Sequence, residues 1–162
     1  DCAPYTGAFG KDEEEMINIR VMSIHDYDGI YNLWINTPGM GLNTTDDSRE
    51  GIAKYLKRNP TTSFVAECEG NIIGVIMAGH DGRRGYIHHT AVLPTYRNQG
   101  IAKKLVDSAM SALDEEGINK VALVAFKKNE LGNGFWENRG FTDRDDLVYR
   151  NKNIHALDRI DT

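Results

Sequence analysis

Residues 86–110 constrain the fold more than any other part of this chain, because they read as a strand, a tight turn and a helix in direct succession. The turn from Arg97 to Ala102 points several backbone N–H groups at one spot, at the positive end of the helix. Gly100 allows the backbone to approach an anion closely, and Arg97 adds a fixed positive charge. The segment therefore predicts a phosphate-binding turn.

The spacing within this turn excludes the two most common phosphate loops. A Walker loop requires Gly-x-x-x-x-Gly-Lys-Ser/Thr, and a dinucleotide fingerprint requires Gly-x-Gly-x-x-Gly. Neither pattern occurs in the sequence. On these residues alone, an ordinary strand-to-helix turn remains an open alternative.

The rest of the chain alternates between strand and helix patterns. Ser23 is a good N-cap, Asp47-Ser48-Arg49-Glu50 is a capping box with Asp47 as a cap, and Glu69-Gly70 indicates a hairpin. We expect strands over 17–22, 63–68, 71–79, 86–93, 120–126 and through 147–149, and helices over 23–35, 49–58, 99–116 and 130–139. This order predicts a single mixed α/β sheet.

Composition limits the classes of partner. The net charge of −5 argues against a nucleic-acid partner, and no apolar run is long enough for a membrane span or a signal core. We therefore expect a cytoplasmic protein with one domain over 16–162, preceded by an N-terminal extension at 1–15. Two cysteines are too few for a disulfide framework, and Cys68 is expected to be a small buried residue.

A second motif follows at a suitable distance from the first. Residues 129–141 read Asn-Glu-Leu-Gly-Asn-Gly-Phe-Trp-Glu-Asn-Arg-Gly-Phe. Together with Arg-x-x-Gly-x-Ala at 97–102, after a strand ending in Val-x-Pro, the motif resembles the GNAT superfamily of N-acetyltransferases. The resemblance covers about residues 17–152, and the chain is similar to small bacterial members of the ribosomal-protein N-terminal acetyltransferase type.

This resemblance implies an α/β fold with one mixed, mostly antiparallel sheet, a central splayed strand pair and helices on both faces. It implies acetyl-CoA as co-substrate, with the pantetheine arm between the strands at 86–93 and 120–126. The residues implied to bind acetyl-CoA are Val92 and Leu93 through their backbone, then Arg97, Asn98, Gln99, Gly100, Ile101, Ala102 and Lys103, and finally Asn129 and Trp136. Asn129 could also be a plain N-cap, and Trp136 a packing residue.

Acetyl transfer from a thioester needs a neutral amine, a stabilised oxyanion and a leaving thiolate. The resemblance assigns the oxyanion to the N–H of Val92. His88 is the candidate base, since histidine accepts a proton near neutral pH, although neighbouring backbone could simply satisfy it. Strand alternation places Tyr86 on the same face as His88 and turns His89 to the other face. The resemblance makes Tyr86 a further catalytic candidate, because histone-acetylating members of the family have a glutamate at its position.

The proton donor for the leaving thiolate is less clear, because Trp136 stands where many family members have a tyrosine. An indole N–H cannot act as an acid at ordinary pH. Tyr149 is a candidate substitute. If nothing replaces the acid, the alternative is a non-catalytic module that binds or senses acyl-CoA.

The acceptor is expected to be a primary amine, on a small molecule or a protein N-terminus. We expect its binding site against the loop at 36–49, because loops over a rigid sheet carry specificity. The side chains available there are Trp34, Met40, Asp46 and Asp47. The two carboxylates could attract a cationic amine. A homodimer is possible, and no metal ion is expected.

Overall fold

The computed structural model describes residues 16–161, so the expected extension at 1–15 lies outside the described residues. Short 3-10 turns at Ile24–Asp26 and Pro94–Tyr96 supplement the regular elements. In chain order these are β1 Ile17–Val21, α1 Tyr27–Ile35, β2 Leu42–Asn43, α2 Arg49–Arg58, β3 Phe64–Cys68, β4 Asn71–His80, β5 Gly85–Val92, α3 Ile101–Glu115, β6 Val121–Leu123, α4 Glu130–Asn138 and β7 Arg159–Ile160.

The main sheet has five strands in the order β1-β3-β4-β5-β6. The first four strands pair antiparallel, and β6 joins β5 in parallel. That parallel pairing extends only from Gly85 to Ile87, opposite Val121 to Leu123, so the two strands diverge beyond Ile87. The predicted mixed, mostly antiparallel sheet with a splayed strand pair is confirmed.

Two apolar cores lie on opposite faces of this sheet. On one face, Ile101, Leu105 and Leu113 of α3 are buried at helical spacing. On the other face, α1 and α2 bury Trp34 and Ile52 against the sheet. The sheet is therefore a rigid platform between two helical layers. No helix within residues 16–161 is long and apolar enough to cross a bilayer.

Two strand predictions near the C-terminus are wrong. The strand expected over 120–126 has only three residues, and Val124 and Phe126 after it are more than half exposed. The segment through 147–149 forms no strand, and its side chains lie in exposed coil. Instead, β7 pairs with the short β2. Apolar runs predict burial, but a strand also needs a neighbouring strand that stays within hydrogen-bonding distance, and neither segment has one over its full length.

A partly buried ion-pair cluster joins β1 to the start of α1. The guanidinium of Arg20 donates two hydrogen bonds to the Asp26 carboxylate, at 2.8 and 2.7 Å, and one to Glu67 at 2.8 Å. Asp26 also accepts from the backbone N–H of Ser23, which completes the predicted cap at Ser23. Burial opposes ionisation of Asp26, but the hydrogen bonds from Arg20 and Ser23 lower its pKa below the usual 3.8.

We expect Asp26→Ala to lower the free energy of unfolding by about 1.5–3 kcal/mol, because it removes charged hydrogen bonds and leaves Arg20 without its main partner. Asp28→Ala is the matched control on the same helix: Asp28 pairs with Arg49 but is 87% exposed, so we expect a loss under about 1 kcal/mol. Urea unfolding at pH 7 measures both.

Because the pKa of Asp26 is lowered by folding, its contribution to the free energy of unfolding should be present above about pH 4 and disappear on acidification. Equal losses in the two variants would contradict this account.

Candidate active site

The edge of β5 that faces β6 is the backbone feature around which the site is built. The N–H of Leu93 donates to the carbonyl of Ile73 on β4, at 2.9 Å. Because successive N–H groups of a strand point to opposite edges, the N–H of Val92 points into the gap between β5 and β6. The N–H of Val92 is therefore free for the oxyanion role that the resemblance implies. The N–H of Leu93 is not free, because it is hydrogen-bonded to Ile73.

The turn before α3 has the geometry of an anion-binding loop. Asn98 and Gly100 both adopt left-handed backbone conformations, with φ of 63° and 77°. Gly100 is the N-cap residue of α3, and a Cβ built on it would meet only open space. Ile101 is buried in the core and Ala102 is partly buried, so both fix the turn against the sheet. The N–H groups of the first helical turn are left for a ligand or water.

Two long side chains of this region make local contacts. Arg97 is exposed, and its Nε donates to the carbonyl of Val92 over a long 3.4 Å. Lys103 is also exposed and pairs with Asp107 one turn later, at 3.1 Å. Inside the loop, the side-chain oxygen of Gln99 is buried without a hydrogen-bond partner among the described residues.

The second motif provides a helix cap and an aromatic cluster. The side chain of Asn129 accepts a hydrogen bond from the N–H of Gly132 at 3.0 Å and thereby caps α4. Trp136 is half-buried between the rings of Phe135 and Phe141, at centroid distances of 5.0 and 5.3 Å. It packs against the same core as Val92, so a packing role fits Trp136.

A bulge in β5 changes which way its histidines point. Ile76 of β4 pairs with Thr90 and Ala78 pairs with Ile87, so two histidines of β5 lie opposite the single residue Met77. Both His88 and His89 therefore point to the face covered by α1 and α2. The prediction that His89 turns to the other face is wrong, because it assumed an unbroken alternation.

His88 lies beside two tyrosine rings and is open to solvent. Its ring is 4.6 Å from Tyr86 and 5.6 Å from Tyr55, between centroids. Desolvation, followed by the nearby charge of His89, lowers the pKa of His88 below the usual 6.5, against a weaker opposing effect of Asp47. This shift favours the neutral form of the His88 imidazole, which is the form that can accept a proton.

His89 is bound in a pair that the sequence did not indicate. Its Nε2 lies 2.8 Å from a carboxylate oxygen of Asp47, and its ring meets the buried Trp34 edge-on. The other carboxylate oxygen of Asp47 accepts from the N–H of Asn43, at 2.8 Å. No local pattern could reveal this pair, since it joins residues 42 positions apart across a bulge.

This pair corrects the expected acceptor site. Asp47 is only 3% exposed and is not the helix cap; Ser48 caps α2 by accepting from the N–H of Gly51. Trp34 is fully buried and Met40 packs partly against the same core. Of the two carboxylates, only Asp46 is exposed. The expected attraction of a cationic amine by two carboxylates is therefore not supported.

A cleft of about 500 Å³ opens instead on the other side of His88. Its floor comes from β4, β5 and β6, and its wall comes from the end of α2. The lining residues are Tyr55, Arg58, Asn59, Gly79, His80, Asp81, Arg84, Gly85, Tyr86, His88, Lys120 and Ala122. Of these, only Tyr86 and His88 were expected from the sequence.

Tyr149 reaches this region from the C-terminal coil. Burial raises the pKa of Tyr86, and Tyr149 lies close enough for its charge to raise that pKa further. Tyr149 itself is 66% exposed. Within residues 16–161 no cluster of three or more acidic, histidine or cysteine side chains could hold a metal ion.

Known proteins resemble this chain in sequence and in fold. The family model described as acetyltransferase (GNAT) family matches residues 27–141. An acetyltransferase of Pectobacterium atrosepticum is 30% identical over 121 residues, which are 75% of this chain and 84% of the relative. The structure of PaiA N-acetyltransferase from Thermoplasma acidophilum in complex with coenzyme A has a TM-score of 0.70, at 20% identity over 80% of this chain and 91% of the other. A ribosomal-protein-alanine N-acetyltransferase from Brucella melitensis has a TM-score of 0.61, at 20% identity over 84% of this chain and 98% of the other.

We expect Asp47→Ala to lower the free energy of unfolding by about 2–3 kcal/mol, because it removes a buried carboxylate with two hydrogen-bonded partners. The neighbouring Asp46→Ala is the control, since Asp46 is exposed and its carboxylate accepts one hydrogen bond within residues 16–161, from the side chain of Asn43. Its loss should stay below about 1 kcal/mol. Chemical unfolding at pH 7 provides the comparison. If Asp46→Ala were the more damaging change, the described role of Asp47 would be wrong.

Proposed function

The chain belongs to the acetyltransferase (GNAT) family, and from this premise we propose that it transfers the acetyl group of acetyl-CoA directly to a primary amine. Relatives are named acetyltransferases, and the PaiA structure was solved with coenzyme A. The chain is an N-acetyltransferase, with acetyl-CoA as its co-substrate. The single observation that carries the detailed proposal is the free edge of β5 beside the turn at 97–102.

We assign the two ends of acetyl-CoA to the two parts of this arrangement. The pantetheine arm lies along the edge of β5 and pairs with the carbonyl of Val92, which leaves the N–H of Val92 for the thioester oxygen. The pyrophosphate binds the N–H groups at the start of α3, where the helix dipole favours an anion. Arg97, at the mouth of the gap, exchanges its long contact with the Val92 carbonyl for the phosphates. Lys103 and Asn129 border the same path.

The chemical step uses His88 and the Val92 amide. The amine loses a proton to neutral His88 as its nitrogen attacks the thioester carbon. The N–H of Val92 donates to the oxyanion, and the carbon–sulfur bond then breaks to release CoA thiolate. Tyr149, near Tyr86, is the phenol that we assign to reprotonate the thiolate, because Trp136 cannot.

The alternative function, a non-catalytic module that binds acyl-CoA, depends on Trp136 alone. The packing of Trp136 between two phenylalanines supports a structural role for this residue, and a thiol near pKa 8.5 can leave without a strong acid. Release of CoA that depends on an added amine distinguishes the enzyme from the binding module.

The first test is the thermal midpoint with and without acetyl-CoA. Acetyl-CoA at about 100 times its Kd should stabilise the protein by about 2.7 kcal/mol, a shift of several degrees. Gly100→Trp should weaken this shift because it puts a bulky side chain on the phosphate turn. Gly117→Trp is the control: Gly117 has a φ of 79°, with open space at its Cβ, at the opposite end of α3. If both variants lose the shift equally, backbone strain explains the loss and the proposed phosphate turn is wrong.

The second test concerns His88. We expect His88→Ala to lower kcat/KM for the amine by about 10²–10⁴ at pH 7, with acetyl-CoA affinity unchanged. Because the pKa of His88 is lowered from 6.5, activity of the unmodified protein should fall only below that pH as His88 becomes protonated. His88→Ala should lack this acid limb, whereas the exposed His25→Ala should keep it. An acid limb preserved in His88→Ala would remove His88 from the mechanism.

A further inference from the structure

The cleft beside His88 is positively charged, although the whole chain carries a net charge of −5. Arg58, Arg84 and Lys120 line it, and Asp81 is the only carboxylate among the lining residues. These charges come from three places in the chain: the end of α2, the β4–β5 hairpin and the residue before β6. The folded chain therefore gathers cations at a position where the sequence gives no basic cluster.

The acidic groups near the cleft are already engaged. One oxygen of Asp81 accepts the backbone N–H groups of Arg83 and Arg84, both at 2.8 Å, which closes the hairpin. Glu116, outside the lining, lies 3.7 Å from His80 and accepts from Thr61. Among residues 16–161, no carboxylate forms an ion pair with any of the three cations.

The cleft wall also carries a polar group that lacks a partner. The hydroxyl of Tyr55 is buried and forms no hydrogen bond with the described residues. It lies against Gly79, where any Cβ would collide with it and with the side chain of Asn59. The absence of a side chain at Gly79 thus keeps the floor of the cleft open next to the hydroxyl of Tyr55.

Arg84 and Lys120 meet at the start of β5, a few residues before His88 on the same strand. Gly85 begins β5 beside Arg84, and its N–H donates to the carbonyl of Lys120, at 3.0 Å. His88 lies three residues further along β5, which is at most about 10 Å at the rise of a strand. A small molecule can span this distance, and the cleft volume is within the usual range for small-molecule sites.

We propose that the acceptor is a small amine that also carries a carboxylate, with its amine at His88 and its carboxylate at Arg58, Arg84 and Lys120. This inference rests on the proposed function and names the substrate class of the same site. Guanidinium groups suit a carboxylate because they bind it with two parallel hydrogen bonds. A polycationic acceptor would instead meet three like charges.

The first experiment compares acceptors that differ only in the acid. Glycine, β-alanine, γ-aminobutyrate and ε-aminocaproate are paired with alkylamines of the same chain length, and spermidine is the polycation. We expect kcat/KM for the preferred amino acid to exceed that of its matched alkylamine by about tenfold or more. Equal values, or a preference for the alkylamines or spermidine, would overturn the inference and leave the acetyltransferase function standing.

Variants locate this preference. Arg58→Gln combined with Arg84→Gln should raise KM for the amino acid by about tenfold or more while leaving KM for acetyl-CoA and for the alkylamine unchanged. Lys57→Gln is the control, because Lys57 is the exposed neighbour of Arg58 and does not line the cleft. An equal effect of Lys57→Gln, or no effect of the double variant, would place the acid elsewhere and overturn the proposal.

A binding measurement separates this proposal from the proposed function, because it needs no acetyl transfer. In an NMR titration, N-acetylglycine should shift the backbone amide signals of Gly79, Gly85 and Ala122, and N-methylacetamide, which lacks the acid, should not. No response to N-acetylglycine, or the same response in the Arg58→Gln and Arg84→Gln double variant, would overturn the anionic subsite. Binding of N-acetylglycine without acetylation of any amine would instead contradict the proposed function.

Discussion

The free edge of β5 is the constraint on which the rest of the site depends. Backbone N–H and C=O groups in folded proteins nearly always have partners, yet β6 supplies them to β5 for only three residues. Beyond Ile87 the two strands diverge, and the N–H of Val92 faces the gap. An extended arm with amide groups can complete such an edge in the manner of an added strand. Because the turn at 97–102 follows this edge directly, the proposed sites for the pantetheine arm and for the pyrophosphate lie in one short stretch of chain.

The bulge at the centre of β5 places two adjacent histidines in different surroundings on the same face of the sheet. Without the extra residue, His88 and His89 would lie on opposite faces of the sheet. With it, both point to the α1 and α2 side, where the carboxylate of Asp47 holds His89 and two tyrosine rings flank His88. Desolvation lowers the pKa of His88, and the proximity of His89 lowers it further. Bulges commonly redirect side chains in this way beside active sites.

The parts of the fold that sequence predicted are those fixed by neighbouring residues. The cap at Ser23, the hairpin turn at Glu69-Gly70 and the position of α3 each depend on residues close together in the chain, and their patterns are visible in the sequence. The bulge in β5, the burial of Asp47 and the short length of β6 depend instead on how distant strands pair. The alternating or apolar pattern of one segment cannot predict these features, because it contains no information about the strand with which the segment pairs.

The net charge of −5 would favour a cationic acceptor, whereas the three cations that line the cleft favour an anionic one. The charges of the cleft lie closer to the acceptor and therefore have the larger effect. Screening limits the interaction of exposed charges to about 8–10 Å in physiological salt, so remote carboxylates affect the cleft little. Burial withdraws Asp47 from the acceptor site, while folding brings Arg58, Arg84 and Lys120 to one cleft. The carboxylate that remains there, on Asp81, accepts hydrogen bonds from the hairpin backbone. Specificity for an amine that carries a carboxylate would thus arise from Arg58, Arg84 and Lys120, which lie at the ends of separate elements and belong to no single sequence motif.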